Sequence, residues 1–454
     1  MAISTSSNIA IVGGGAFGLS TALHLTEAGY TNISIYERDD QIPPRYSAAN
    51  DLNKIVRAEY EEPFWTELTL VCYTPVYPTS ALLIQLSLQQ AISAWKTPFY
   101  APFFHQTGFI HCVSANAPEE ATATLNRFRA AADAHPLLKE HVVPFPEDGD
   151  IKKRFWQYDG SFPGWTGYFN SFDGYAHSGA ALTAAYREAQ ARGVRFFLGN
   201  QGVVSEVVYE KTAQGRRATG IKTGNGRFHP ADLVIVAVGA AATKLVPEIG
   251  TQVVAKSWSV AHVHLTDEEV SALRGIPITY ARDLGFYFEP DPKTNLLKIC
   301  PMGGGYVNTD LNTGFSHAPK SLAESAFVPA HDEVKMRKLL AETLPSLADR
   351  PLVKKSLCWF ADTLNSDFII DYVPQTSGSL ILLTGDSGHG FKFFPIFGSW
   401  VKPLLEQGEQ SIARWRWKDP KSSQTDANWG GSVSWRLGET LEFSDIQPSS
   451  GSKL

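Results

Sequence analysis

Apolar residues fall into short runs divided by glycine-rich or polar turns, and the first forty positions carry the clearest of them. Residues 9–12 (Ile-Ala-Ile-Val) form an unbroken apolar run that reads as a buried strand. A glycine turn follows, then a periodic stretch at 19–28 that predicts a helix, then a second strand at 33–36 closed by Glu37. Further apolar runs at 231–239 and 296–300 predict strands, the second with one lysine, Lys298, inside it. Residues 71–90 run without a single charge and contain two prolines, one of which would break a helix.

The opening pattern has the form of a dinucleotide-binding βαβ unit, with glycines at Gly13, Gly15 and Gly18. Gly13 allows the tight turn, Gly15 lets the backbone approach a pyrophosphate, and Gly18 lets helix and strand pack closely. The helix N-terminus offers free N–H groups and its positive dipole end to phosphates. Glu37 stands where it would accept hydrogen bonds from a ribose hydroxyl. The pattern does not separate FAD from NAD. The strand at 231–239 suits the return strand of a flavin-binding sheet, and ordinary core equally well.

Composition narrows the class. A chain of 454 residues is too long for one core and suggests two domains. A formal net charge of −6 argues against a nucleic-acid binder, which would carry a basic stripe. The four cysteines (72, 112, 300 and 358) are widely spaced, so neither a disulfide framework nor a zinc site is expected, and a reducing compartment is. No His/Asp/Glu cluster has metal spacing, no signal peptide is visible, and no run is long enough for a bilayer. The chain ends Ser452-Lys453-Leu454 after a polar stretch, the tripeptide read by the peroxisomal import receptor.

Several segments carry a family likeness. They are Ser47-Ala-Ala-Asn-Asp-Leu-Asn-Lys-Ile-Val-Arg57, His105-Gln-Thr-Gly-Phe, Phe162-Pro-Gly-Trp-Thr-Gly-Tyr-Phe, Gly174-Tyr-Ala-His177, Gly285-Phe-Tyr-Phe-Glu-Pro290, and Cys358 ahead of the GDSGHGFK block ending at Lys392. Through them the chain resembles the amadoriases (fructosyl amino acid oxidases) and the monomeric sarcosine, pipecolate and saccharopine oxidases, to about residue 415. The resemblance implies an α/β fold: a Rossmann-like FAD-binding domain (1–97, 164–251, 345–415) interleaved with an α+β substrate domain built on a mixed sheet (98–163, 252–344). A tail (416–454) follows; its tryptophans are expected to anchor it across the FAD domain. The resemblance also marks 71–90 as an atypical insertion, which is either an intron retained in the coding sequence or a genuine apolar loop, an exposed liability if translated.

The resemblance further implies the chemistry. An amine C–N bond is oxidised to an imine that water hydrolyses, and O2 is reduced to H2O2. Cys358 matches the cysteine that attaches to the flavin; its thiolate is the nucleophile, so a nearby cation, Lys354 or Lys355, is expected to lower its pKa. A buried structural cysteine is the plain alternative. Lys54 and Lys298 match catalytic cations beside the flavin that stabilise reduced-oxygen anions. Arg57 and Lys392 match the clamp for an α-carboxylate, with a surface salt bridge from Arg57 to Glu59, Glu61 or Glu62 as its alternative. Asp283 stands where amadoriases carry a sugar-binding glutamate, and Tyr287 is placed with the substrate. Arg38, Ser47, Val203, Asp386, Gly388, Gly390 and Phe391 are placed with the cofactor. His177 is read as packing at a helix start, His389 as filling space in the glycine turn, and no general base is nominated.

The leading expectation is an FAD-dependent oxidase of a secondary amine carrying an α-carboxylate, of the saccharopine, pipecolate or sarcosine type. It is expected to be peroxisomal, monomeric and free of metal, membrane and nucleic acid. The alternatives are an amadoriase, a biosynthetic oxidase that closes a ring through an iminium, a flavin-binding protein without turnover, and an NAD-dependent dehydrogenase.

Overall fold

A computed structural model of the protein describes residues 3–70, 91–145, 150–213, 215–418 and 436–446. Residues 71–90, Trp429, Trp435 and Ser452 to Leu454 lie outside the described residues. Two large sheets organise the rest, and the mixed α/β expectation is borne out. The first has six strands in the order Ile369–Tyr372, Leu380–Thr384, Leu233–Val236, Ile9–Val12, Ile33–Glu37, Arg195–Leu198. The inner pairings are parallel, and only Ile369–Tyr372 runs antiparallel. Ile9–Val12 is buried on both faces, as a central strand of a covered parallel sheet must be, which is why its sequence is continuous rather than alternating. Helix Ala16–Glu27 packs its Leu19, Ala22, Leu23 and Leu25 into the core on one face of this sheet.

The second sheet has ten strands and mixes parallel with antiparallel pairs. Its long strand Val253–His264 is flanked by Leu296–Pro301 and by Leu352–Thr363. The latter, expected with the nucleotide-binding segments, is therefore paired along its length in the larger sheet. The C-terminal segment departs from expectation too. Leu441–Glu442 adds to the edge of the larger sheet beside Tyr306–Val307, and Phe443 packs near Trp359. Of the described tryptophans there, Trp415 is a buried anchor on the first core, against Trp400, and Trp417 packs part-buried against a neighbouring cluster. A small sheet joins Lys54–Val56 to Gly174–Ala176 and Phe104–His105, and so delivers Lys54 and Arg57 between the two large sheets. Among the described residues no helix is long and apolar enough to cross a membrane.

Candidate active site

A cavity of about 590 Å³ runs from the glycine turn after Ile9–Val12 to the mixed sheet. At the turn, Gly13 has φ +111° and its missing side chain leaves room for the Ala237 carbonyl; Gly18 in turn abuts the Gly13 carbonyl. Either substitution would push the turn apart. Gly15 differs, because an added Cβ would meet only the Ser47 side chain, at 3.2 Å. It also precedes helix Ala16–Glu27, whose N-terminus has no side-chain cap and no acidic residue in its first turn. Uncapped N–H groups facing a cavity are an anion site. Glu37 lines the cavity, yet its two oxygens already accept from the backbone N–H of Gly14 (2.8 Å) and Asp39 (2.9 Å), leaving each a further lone pair for a hydroxyl. Burial raises its pKa against those donors. Arg38, stacked on Tyr46, and Ser47 and Val203 also line this end.

At the far end three charges meet. Asp51 Oδ2 accepts from Lys54 Nζ at 2.8 Å and from Lys298 Nζ at 2.5 Å, and Lys298 donates again to the Asn53 carbonyl at 2.8 Å. Burial opposes the Asp51 charge, but Lys298 and Lys54 outweigh it and hold the carboxyl well below its usual range. Burial likewise opposes the Lys54 ammonium, and Asp51 and then Cys358 hold it above the usual lysine range. Lys54 Nζ lies 4.0 Å from Cys358 Sγ. The cation beside the cysteine is thus Lys54, while Lys355 is paired with Glu333 at 2.8 Å. The expected lowering of the thiol pKa is not what results: burial raises it, and Lys54 only partly offsets that. Asp386 lines the same end, and burial lifts its carboxyl to about 6 against hydrogen bonds from the Ala361 and Gly388 N–H groups.

Arg57 and Lys392 both line the cavity. Arg57 Nη1 donates to the Glu59 backbone carbonyl at 2.6 Å, and its guanidinium sits over the Tyr60 and Phe128 rings. The salt-bridge alternative is not what the geometry favours, since Glu61 pairs with Arg127 and Glu62 with Arg414. Lys392, buried, donates to the Tyr60 hydroxyl. His389 Nε2 faces the Ser366 carbonyl at 2.9 Å, which can only accept, so Nδ1 is the acceptor for the Tyr60 hydroxyl at 3.0 Å. The ring is therefore a neutral link in the chain Lys392–Tyr60–His389–Ser366 rather than filler. Burial, then Lys392, keep its pKa well below the usual histidine range. His177 begins helix Ser178–Ala191 without a side-chain cap, its Nδ1 near the Leu52 carbonyl at 3.3 Å.

Two sequence candidates lie elsewhere. Side chains alternate along a strand; Phe286 and Phe288 line the cavity, so Tyr287 between them points to the other face, buried in the second core beside Thr279 and Thr343. Asp283 is spent on the N–H and hydroxyl of Ser114 (3.1 and 2.5 Å) and does not line the cavity. Asp51, Tyr60, Trp258 and Phe360 were not foreseen. The signal for Asp51 was available, because a lysine in an apolar strand requires a buried partner.

A glycine turn at a bare helix end, a shared cavity between two sheets, and cations at its far wall define a dinucleotide-dependent oxidoreductase. The comparisons narrow this: residues 8–404 match the FAD dependent oxidoreductase family model, and the chain belongs to that family. It is 30% identical to L-saccharopine oxidase of Schizosaccharomyces pombe, over 92% of this chain and 95% of that protein. It is 25% identical to monomeric sarcosine oxidase of Bacillus sp. (strain B-0618), over 90% and 94%. Among solved structures, fructosamine oxidase of Aspergillus fumigatus (Amadoriase II) superposes with a TM-score of 0.83 at 30% identity, covering 98% of each chain. FAD suits the residues present: the bare helix end and the Gly15 opening would hold the pyrophosphate, with Glu37 near the ribose.

Proposed function

We propose that the protein is an FAD-dependent oxidase of secondary amines carrying an α-carboxylate, with saccharopine, pipecolate and sarcosine as the model substrates. The observation that carries this reading is the convergence of Arg57 and Lys392 on a cavity walled by Tyr280, Phe286 and Phe288. Among the described residues the guanidinium keeps an edge for a carboxylate, because only Nη1 is committed, to the Glu59 carbonyl. FAD supplies the two-electron acceptor for the amine C–H bond. The chain's own residues bind the carboxylate, exclude water with the aromatic wall and lower the cost of negative charge with the Lys54–Asp51–Lys298 cluster. The net reaction turns an acyclic amine, O2 and water into a shorter amine, a carbonyl compound and H2O2; a cyclic amine such as pipecolate gives H2O2 and a cyclic imine that water opens to a single amino-carbonyl compound. Cys358 is the residue for a thioether to the flavin, with Lys54 favouring its thiolate. Ser452, Lys453 and Leu454 would route a monomer to the peroxisome.

An amadoriase is the second reading, favoured by the structural likeness to Amadoriase II and weakened by the position of Asp283. Anaerobic mixing of the purified oxidised enzyme with saccharopine, pipecolate, sarcosine and fructosyl-valine separates the two. Bleaching of the flavin spectrum by one of the first three is the expected result. Bleaching by fructosyl-valine alone would overturn the carboxylate-clamp assignment. For the thioether, acid precipitation is expected to leave the yellow colour in the pellet, and Cys358→Ser to release it.

A further inference from the structure

Behind Trp258 lies a second cavity of about 250 Å³ that shares Trp258, Pro301 and Gly303 with the first. The shared wall includes the Trp258 indole, which lies tilted against Phe360 (centroids 4.5 Å apart) and donates to the Gly303 carbonyl at 3.2 Å. The second cavity differs in character from the aromatic wall. The first turns of helix Ala330–Thr343 bring in His331, Asp332 and Lys335, and the C-terminal segment brings in Glu439. Asp332 is consumed internally by Ser259 Oγ (2.5 Å) and the Tyr306 hydroxyl. Lys335 uses one N–H on the Met302 carbonyl (2.7 Å) and keeps two. His331 is half exposed with its Nε2 bonded to the Tyr306 hydroxyl at 2.8 Å, and the Glu439 carboxylate has no hydrogen bond or ion pair among the described residues. A small cavity thus offers a cation and an anion, both exposed enough to bind, to whatever passes Trp258.

We propose that this cavity is a subsite for the zwitterionic amino-acid head group at the far end of a long N-alkyl substituent. Lys335 would meet the head's carboxylate and Glu439 its ammonium, while the other end of the substrate sits at Arg57 and Lys392. The assignment rests on the carboxylate-amine reading above and selects, within it, long bis-amino-acid amines such as saccharopine over sarcosine or pipecolate. Neither small substrate is long enough to use a site beyond Trp258.

The test compares kcat/KM of the full-length holoenzyme for saccharopine and for N-propylglutamate, which keeps the same glutamate end and lacks the distant head. Saccharopine is expected to be preferred at least tenfold, through KM. Lys335→Gln, which retains an N–H for Met302, and Glu439→Gln are each expected to cost about tenfold with saccharopine and less than twofold with N-propylglutamate. Equal rates for the two substrates, or equal losses on both in the variants, would overturn the subsite and leave the carboxylate clamp standing. Turnover of neither substrate would overturn the underlying reading and the subsite with it.

Discussion

Replacing Asp51 with Asn leaves two ammonium groups facing each other without their shared anion. Both sit on one carboxylate oxygen, at 2.8 and 2.5 Å, so the two nitrogens are within about 5 Å of each other. At an effective dielectric constant of about 20, their repulsion is roughly 3–4 kcal/mol. The side chains are largely buried, at 22% exposure for Lys54 and 2% for Lys298, so solvent relieves little of it. One lysine can escape by releasing its proton, which at pH 7.5 costs about 4 kcal/mol from an ordinary lysine pKa. The two costs nearly match, so the variant is expected to lose about 3 kcal/mol near neutral pH and to regain much of it in alkali. The sign follows from linkage: the unfolded chain would hold a proton that the folded variant gives up, so stability rises with pH. The native cluster behaves differently. The depressed Asp51 contributes stability above about pH 4 and loses it below; the raised Lys54 contributes it below about pH 10.4 and loses it above. Between these limits the native cluster is flat. Urea midpoints of holoenzyme and variant at pH 6.5, 8 and 9.5 provide the assay. A variant as stable as the native protein at pH 6.5, or one whose deficit does not shrink with pH, would refute the reasoning.

Arg57→Lys keeps the charge and loses the fork, so kcat/KM should fall 10- to 100-fold, about 1.5–3 kcal/mol, mostly through KM in steady-state assays. Burial and then Arg57 push the Lys392 ammonium well below the usual lysine range, against Asp173 and Glu59, while Tyr60 accepts its hydrogen bond and His389 stands neutral behind Tyr60. A bound carboxylate favours the charged form, so calorimetry in buffers of different ionisation heat should show net proton uptake on binding a carboxylate ligand at pH 8, abolished by Lys392→Met. Tyr287→Phe should leave kcat/KM within twofold and cost at most about 1 kcal/mol in stability, whereas Phe286→Ala should raise KM; the reverse pattern in steady-state kinetics would contradict the strand's facing.

What was legible in the sequence was local. Ile9–Val12, the glycines and Glu37 lie within thirty positions of one another; Gly13 and Gly18 answer to steric demands of the turn, and Gly15 keeps the opening beside Ser47. The Arg57–Lys392 pairing came from the family likeness, because no periodicity links positions so far apart. The failures are of two physical kinds. Tyr287 was lost to the parity of a strand, where a shift of one residue exchanges cavity for core. Asp51 with Lys298, and Leu352–Thr363 with the larger sheet, depend on contacts across long stretches of chain, 247 residues in the first case. Local pattern carries no information about such partners. The fate of the cysteine's pKa was equally out of reach, since it turns on burial against a lysine at 4.0 Å.

The strand order of the first sheet bears on how the protein is made. Ile9–Val12 pairs with Leu233–Val236, which pairs with Leu380–Thr384, so the sheet holding the fingerprint stays incomplete until some 370 residues after its first strand have been synthesised. At roughly 5–20 residues per second, the fingerprint strand waits about 11–45 s for Leu233–Val236, and the sheet as a whole about 20–75 s for Leu380–Thr384. The cavity is lined by Cys358 and Lys392 as well as by the fingerprint, so it too cannot be complete until these residues of the last quarter of the chain are made. A cofactor enclosed by all of these walls can be seated only once synthesis is nearly over.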